Sequence, residues 1–151
     1  MDKHFELTDK FIINAFGIKL LQIKCTRKIK HADVGDLGGY IEKEDNLSGD
    51  AWVCGDAWVS GDAKVSGNAQ VSGDAKVSNN NEHCGFDCFG SANRHTHAYK
   101  TQSGKVEIIC GCFRGSIEEF EEQVKKTHQG NEFERQYMAI AEVIKIKLGL
   151  K

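Results

Sequence analysis

The sequence predicts a mainly β chain with a C-terminal α+β end: a short left-handed parallel β-helix of hexapeptide repeats, followed by a small ββαα module. Three observations carry this expectation. Leu47, Val53, Val59, Val65, Val71 and Val77 recur every six residues, and Ala51, Ala57, Ala63, Ala69 and Ala75 each lie two positions before a Val. Gly-Asp or Gly-Asn pairs at 49–50, 55–56, 61–62, 67–68 and 73–74 keep the same beat. After residue 80 the beat stops, and a different pattern begins, with strand-like stretches followed by apolar residues at helical spacing. A helix would repeat near 3.6 residues, so the six-residue period belongs to a stacked coil.

Taken in order, residues 1–34 read as a β-hairpin lead-in. Two apolar runs, at 11–13 and 18–24, flank the turn-like Asn14-Ala15-Phe16-Gly17. Residues 35–80 read as the coil, entered through Asp36-Leu37-Gly38-Gly39-Tyr40-Ile41, with Ile41 already in phase with Leu47. Ala and Val alternate with polar residues, which places Trp52, Trp58, Lys64, Gln70 and Lys76 on the outside. Outward tryptophans favour an interface, so Trp52 and Trp58 are the expected contact residues of a homotrimer. Asn79-Asn80-Asn81-Glu82-His83 reads as a polar linker. Residues 81–151 form the third segment, with strands at 94–100 and 105–110 joined by Thr101-Gln102-Ser103-Gly104. A helix follows over 116–127, opened by the capping box Ser116…Glu119, and a second runs over 132–147.

Composition excludes several classes of function. Twenty Lys and Arg against 22 Asp and Glu give a net charge of −2, which exerts no pull toward nucleic acid or an anionic membrane. No apolar run spans a bilayer and the N-terminus lacks a signal pattern, so a cytoplasmic setting is expected. Six Cys in a reducing compartment read as free thiols rather than disulfides. Cys84, Cys88, Cys110 and Cys112 are metal-ligand candidates, but the C-x3-C and C-x-C spacings are not the paired C-x2-C of zinc sites, and no metal is expected. No cofactor is expected either. Acyl transfer, common on hexapeptide coils, needs a general base, and no His lies between Leu47 and Ser78.

The string DLGGYIEKEDNLSGDAWV with its following GDAxV repeats resembles a group of bacteriophage and prophage proteins with hexapeptide repeats. The tail resembles a module found at the C-terminus of such proteins. It carries Gly90-Ser91, Thr96, Tyr99, Gly111-Cys112-Phe113-Arg114-Gly115, Glu119-Phe120 and His128 in that order. The resemblance implies a phage setting, an infected bacterial cytoplasm, and no particular activity.

The chemistry expected of the tail is anion binding. Arg114 and Gly115 precede the helix that starts at Ser116, and a helix N-terminus offers free N–H groups and a positive dipole end. Ser91, Asn93, Arg94, His95 or His97 close such a pocket, with Tyr99 available for stacking. The expected function is non-enzymatic: capture of a phosphorylated, nucleotide-derived host immune signal, with no catalytic residue assigned. The alternatives are a protein–protein inhibitor or scaffold acting on a host defence protein, and a nucleotide-processing or acyl-transfer enzyme with His95 or His97 as base.

Overall fold

The computed structural model describes residues 3–111 and 113–149, and the chain divides into two compact units, 1–80 and 81–151. In the first unit, β1 (Phe5–Ile13) and β2 (Lys19–Cys25) pair antiparallel. The turn between them is built by Asn14, whose Oδ1 accepts from the N–H groups of Phe16 (2.9 Å) and Ile18 (3.0 Å). β3 (Leu37–Ile41) adds antiparallel to β2, and a single 3-10 turn follows at Glu44–Asn46. The repeat region then supplies four strands of two residues each: β4 (Trp52–Val53), β5 (Trp58–Val59), β6 (Gln70–Val71) and β7 (Lys76–Val77).

The six-residue beat becomes parallel pairing. Ile41 meets Val59, Val59 meets Val77, Val53 meets Val71, and Leu47 bridges Val65. The inward Val and Ala positions are fully buried from Ala51 to Val77. The repeat glycines take left-handed backbone, and at Gly49 a Cβ would lie 2.8 Å from the Gly67 nitrogen stacked against it. Asn46 is buried without being orphaned. Its Nδ2 donates to the carbonyls of Gly61 (3.1 Å) and Ala63 (2.9 Å), and its Oδ1 accepts from Lys43 N–H (2.9 Å).

These pairings correct the expected fold class. No left-handed parallel β-helix is evident among the described residues. The repeat strands are two residues long, and the larger sheet, in the order β1-β2-β3-β5-β7, is mixed, because its first three strands run antiparallel. The remaining parallel pair, β4-β6, stands as a separate two-stranded sheet. The repeat specified which residues stack, but the antiparallel hairpin joined the same sheet and took over its organisation.

The placement of the two tryptophans is corrected as well. Trp52 is 2% exposed and Trp58 9%. The N-terminal strands cover the first: the His4 ring lies 6.4 Å from the Trp52 ring, and a Cβ on Gly38 would stand 2.8 Å from it. The second lies under the Lys76 ammonium, 5.1 Å from its ring centroid. Neither is left on a free surface to anchor a trimer. The exposed apolar residues of this unit are instead Phe11, Ile13 and Phe16 on the first hairpin, with Val34 and Leu37.

The second unit has two strands more than expected. β8 (His83–Phe89), β9 (Arg94–Lys100), β10 (Val106–Cys110) and β11 (Phe113–Gly115) form an antiparallel sheet in the order β11-β10-β9-β8. Helices α1 (Ile117–His128) and α2 (Glu132–Lys147) follow. One sheet face carries Ala98, Val106, Ile108 and Cys110 into a core with Ile117, Phe120, Val124, Tyr137, Ile140 and Ile144. The ββαα module is thus a four-stranded sheet covered on one face by two helices. Among the described residues, no helix is long and apolar enough to cross a membrane.

Candidate functional site

Strand alternation divides the candidate residues between two faces. Directly opposed residues in an antiparallel pair point the same way. Cys84↔Ala98, Phe86↔Thr96 and Cys110↔Thr96 therefore share the helix face, together with Arg94. His83↔Tyr99, Gly85↔His97, Glu107↔Tyr99 and Ile109↔Arg114 share the other.

On the helix face, a cavity of about 210 Å³ opens between the sheet and α1. Phe113, Phe120 and Tyr137 give it an aromatic wall, and Ser91, Arg94, Thr127 and His128 bring polar groups to it. Phe120 meets Phe113 and Tyr137 edge-on at 5.6 and 5.7 Å, and the His128 ring stacks on Tyr137 at 5.6 Å. Two glycines permit the close approach. A Cβ at Gly90 would collide with the Tyr137 hydroxyl, and one at Gly111 with the Arg94 guanidinium. The Gly90 N–H is held by Gln136 Oε1 at 2.8 Å, which fixes the loop that carries Ser91.

The electrostatics of the cavity favour an anion. Arg94 has no carboxylate partner among the described residues. The Thr96 hydroxyl donates to Cys110 Sγ (3.1 Å), Cys110 Sγ to the Tyr137 hydroxyl (3.8 Å), and Tyr137 to the Phe89 carbonyl (3.4 Å). Burial, followed by the nearby Cys110, pushes the Tyr137 hydroxyl up to about 12. It therefore remains a neutral donor at physiological pH. Cys110 meets two hydroxyls, neither of which is a base at neutral pH, so these contacts assemble no nucleophile–base pair.

At the start of α1, where the sequence suggests an anion site, the chain's own carboxylate is seated. Ser116 Oγ accepts from Glu119 N–H (3.2 Å), and Glu119 Oε1 accepts from Ser116 N–H (3.0 Å). The Ser116 N–H, and after it the Ser116 hydroxyl, hold the Glu119 carboxyl below its usual range, so a negative charge already occupies the helix entry. A Cβ at Gly115 would lie 3.1 Å from that carboxylate. Arg114 Nε donates to Glu107 Oε1 at 3.0 Å, and the Tyr99 hydroxyl bonds the same carboxylate. Arg114, Gly115, Ser116 and Tyr99 are therefore structural here, and none of them lines the cavity.

Of the other predicted ligand residues, Ser91 and Arg94 line the cavity. Asn93 shapes the turn beside them, with φ 49° and its N–H bonded to the Gly90 carbonyl. His95 and His97 lie on the opposite face and bond to each other. Sequence reasoning missed Gln123, Thr127 and Tyr137, which read as ordinary helix residues. It noted Phe113 and His128 only as parts of a resemblance, and Phe120 there and as an apolar helix position; of the residues quoted for that resemblance, Ser91, Phe113, Phe120 and His128 line the cavity.

The described thiols form no metal-ligand cluster. Cys84 is half-buried, and burial raises its pKa. Cys88 is exposed at a positive φ of 68°, Cys110 is buried, and Cys112 lies outside the described residues. Among the described residues, no group of three or more His, Cys, Asp or Glu is placed to hold a metal ion. Comparison of the chain with protein-family models, with curated proteins and with solved structures finds no match to any of them.

Proposed function

We propose that the second unit captures a small phosphorylated, nucleotide-derived ligand in the cavity between β9, β10 and α1, and holds it without transforming it. The observation that carries this reading is the Arg94 guanidinium, which has no carboxylate partner among the described residues, beside an aromatic wall in a concave site. Arg94 supplies a planar fork for a phosphate, Ser91 and Thr127 supply hydroxyls, and Phe113 and Tyr137 accept a ring. Size narrows the class. At about 210 Å³ the cavity falls below the ~300–1,000 Å³ of drug-sized sites. It has room for a phosphate with one ring system, and a dinucleotide would extend beyond it. The likeness to phage proteins suggests the setting, a host immune signal sequestered in the cytoplasm of an infected bacterium.

The test is calorimetry with inorganic phosphate, AMP and ADP-ribose. Arg94→Ala is expected to weaken binding by about 1.5–3 kcal/mol, the range for a hydrogen bond to a charged group. Arg114→Ala is expected to leave binding unchanged, since that guanidinium already serves Glu107. The bound compound should be recovered intact after denaturation.

A second reading, contact with a host protein, is favoured by the first hairpin, where Phe16 is 85% exposed and Ile13 62%. Absence of heat with all three compounds, together with tight binding to a host protein that Phe16→Ser abolishes, would transfer the assignment to that reading.

A further inference from the structure

The sheet face opposite the helices holds an unbroken row of hydrogen-bonded side chains. Asp87 Oδ1 lies 2.5 Å from His95 Nδ1, His95 Nε2 lies 3.0 Å from His97 Nδ1, and His97 Nε2 lies 3.0 Å from His83 Nδ1. The His95 and His97 rings stack at 5.2 Å and 21°. Gly85, directly opposite His97, makes room for them, since a Cβ there would lie 2.7 Å from His97 Nδ1 and 2.8 Å from His95 Cε1. The row leads inward from solvent: the Asp87 side chain is 61% exposed and that of His95 11%, while His97 and His83 are buried.

Chemistry gives this row a direction. An ionised carboxylate only accepts, so His95 must present Nδ1–H to Asp87. With the rings neutral, its Nε2 is a lone pair that accepts Nδ1–H from His97, and His97 in turn accepts Nδ1–H from His83. One acceptor at the surface fixes three tautomers. The row is also intolerant of acid. Each N···N link holds one hydrogen, so two neighbouring imidazolium ions would aim N–H at N–H and break the link between them.

The row lies where the strand pairing is irregular. β8 is an edge strand, its ladder with β9 slips between Phe86 and Phe89, and Cys88 there has positive φ. The Asp87–His95 bond spans that gap. Immediately beyond it comes the loop with Ser91, and Arg94, which opens β9, is the chain neighbour of His95. We propose that Asp87, His95, His97 and His83 form an acid-sensitive latch that holds the 86–91 segment, and with it Ser91, against β9 and its first residue Arg94. The charged and titratable groups around the row are Glu82 before β8, Lys147 on α2, and Tyr99, Glu107 and Arg114 on the shared sheet face. Lys147 opposes protonation of His83 and Glu82 favours it. The proposal does not depend on what occupies the cavity.

Two measurements on the ligand-free protein test it. Long-range ¹H–¹⁵N spectra at pH 7.5 should show His83, His95 and His97 all as Nδ1–H tautomers. An Nε2–H form at His95 or His97 would overturn the row. Hydrogen exchange, corrected for intrinsic rates, should show protection of Phe86, Phe89 and Gly90 falling at least tenfold between pH 7.5 and pH 5. In Asp87→Leu, an exposed position, protection should already be low at pH 7.5, while the amides of α2 keep theirs. In His95→Gln, which keeps a neutral hydrogen-bonding group, the pH dependence should flatten. Unchanged protection in the wild type across this range, or full protection in Asp87→Leu, would overturn the latch.

Discussion

Val65→Asp is expected to abolish soluble folded protein. Val65 is fully buried, bridges Leu47, and has both backbone groups bonded, its N–H to the Asn46 carbonyl at 2.9 Å and its carbonyl to Ser48 N–H at 3.0 Å. A carboxylate there would have no room to reach water and no cation beside it. The cost of burying an unpaired charge is several kcal/mol, set against ~5–15 kcal/mol for the stability of a whole domain. The outcome to measure is yield of soluble protein and the unfolding midpoint. Lys64→Asp, one position along and exposed, is the control and should fold with little change. A Val65→Asp protein that melts like the wild type would show that the inward row has been misplaced.

Acid is expected to destabilise the second unit well before its carboxylates titrate. Burial, then the Lys147 charge, lowers His83 from 6.5 to about 4. Burial, then His83, His95 and Lys147, holds His97 well below 6.5. Both shifts have the same sign. The unfolded chain takes up protons near pH 6.5 that the folded chain refuses, so stability is complete above that value and is lost as pH falls toward 4. For His83 alone, two and a half pH units at about 1.4 kcal/mol each amount to roughly 3–4 kcal/mol, and His97 adds in the same direction. Urea unfolding at pH 7.5, 5.5 and 4.5 reads the slope. A double change, His83→Gln with His97→Gln, should flatten it, and a wild-type stability constant between pH 7.5 and 4.5 would contradict the neutral, buried imidazoles.

The inward row of Val and Ala was legible because one side chain in six met the same environment each time and Gly-Asp marked each turn. The hairpin turn at Asn14, the strands β9 and β10 and both helices were legible for similar local reasons, among them Ser116 and Glu119 at the start of α1. What the sequence did not disclose depends on register between distant segments. Trp52 alternates outward as expected, yet His4 and Gly38 come from the N-terminal strands to cover it. β8 escaped notice because Cys84 and Cys88 were read as thiols and His83 as part of a polar linker, although Cys84, Phe86 and Cys88 alternate with His83, Gly85 and Asp87. Its even positions carry Cys84 and Phe86 to the helices, and its odd positions carry His83 and Asp87 to the histidine row. Arg114 looked available because its partner Glu107 lies on the neighbouring strand, across a turn. Arg94 looked like one of several equivalent polar residues, and only the two faces of β9 separate it from His95. The helix start was readable as a capped terminus and as an anion site alike, and the Glu119 carboxylate decides between them.

The central claim is that the cavity beside Arg94 is a binding site for a small phosphorylated ligand. Its most direct test is a titration of ¹⁵N-labelled protein with AMP, followed residue by residue. The account predicts saturable shifts at Ser91, Arg94, Thr127 and His128 and at the Tyr137 amide, with Arg114, Ser116 and the repeat region unmoved. Shifts centred on Arg114 and Ser116, or none at any residue up to millimolar AMP, inorganic phosphate and ADP-ribose, would contradict it.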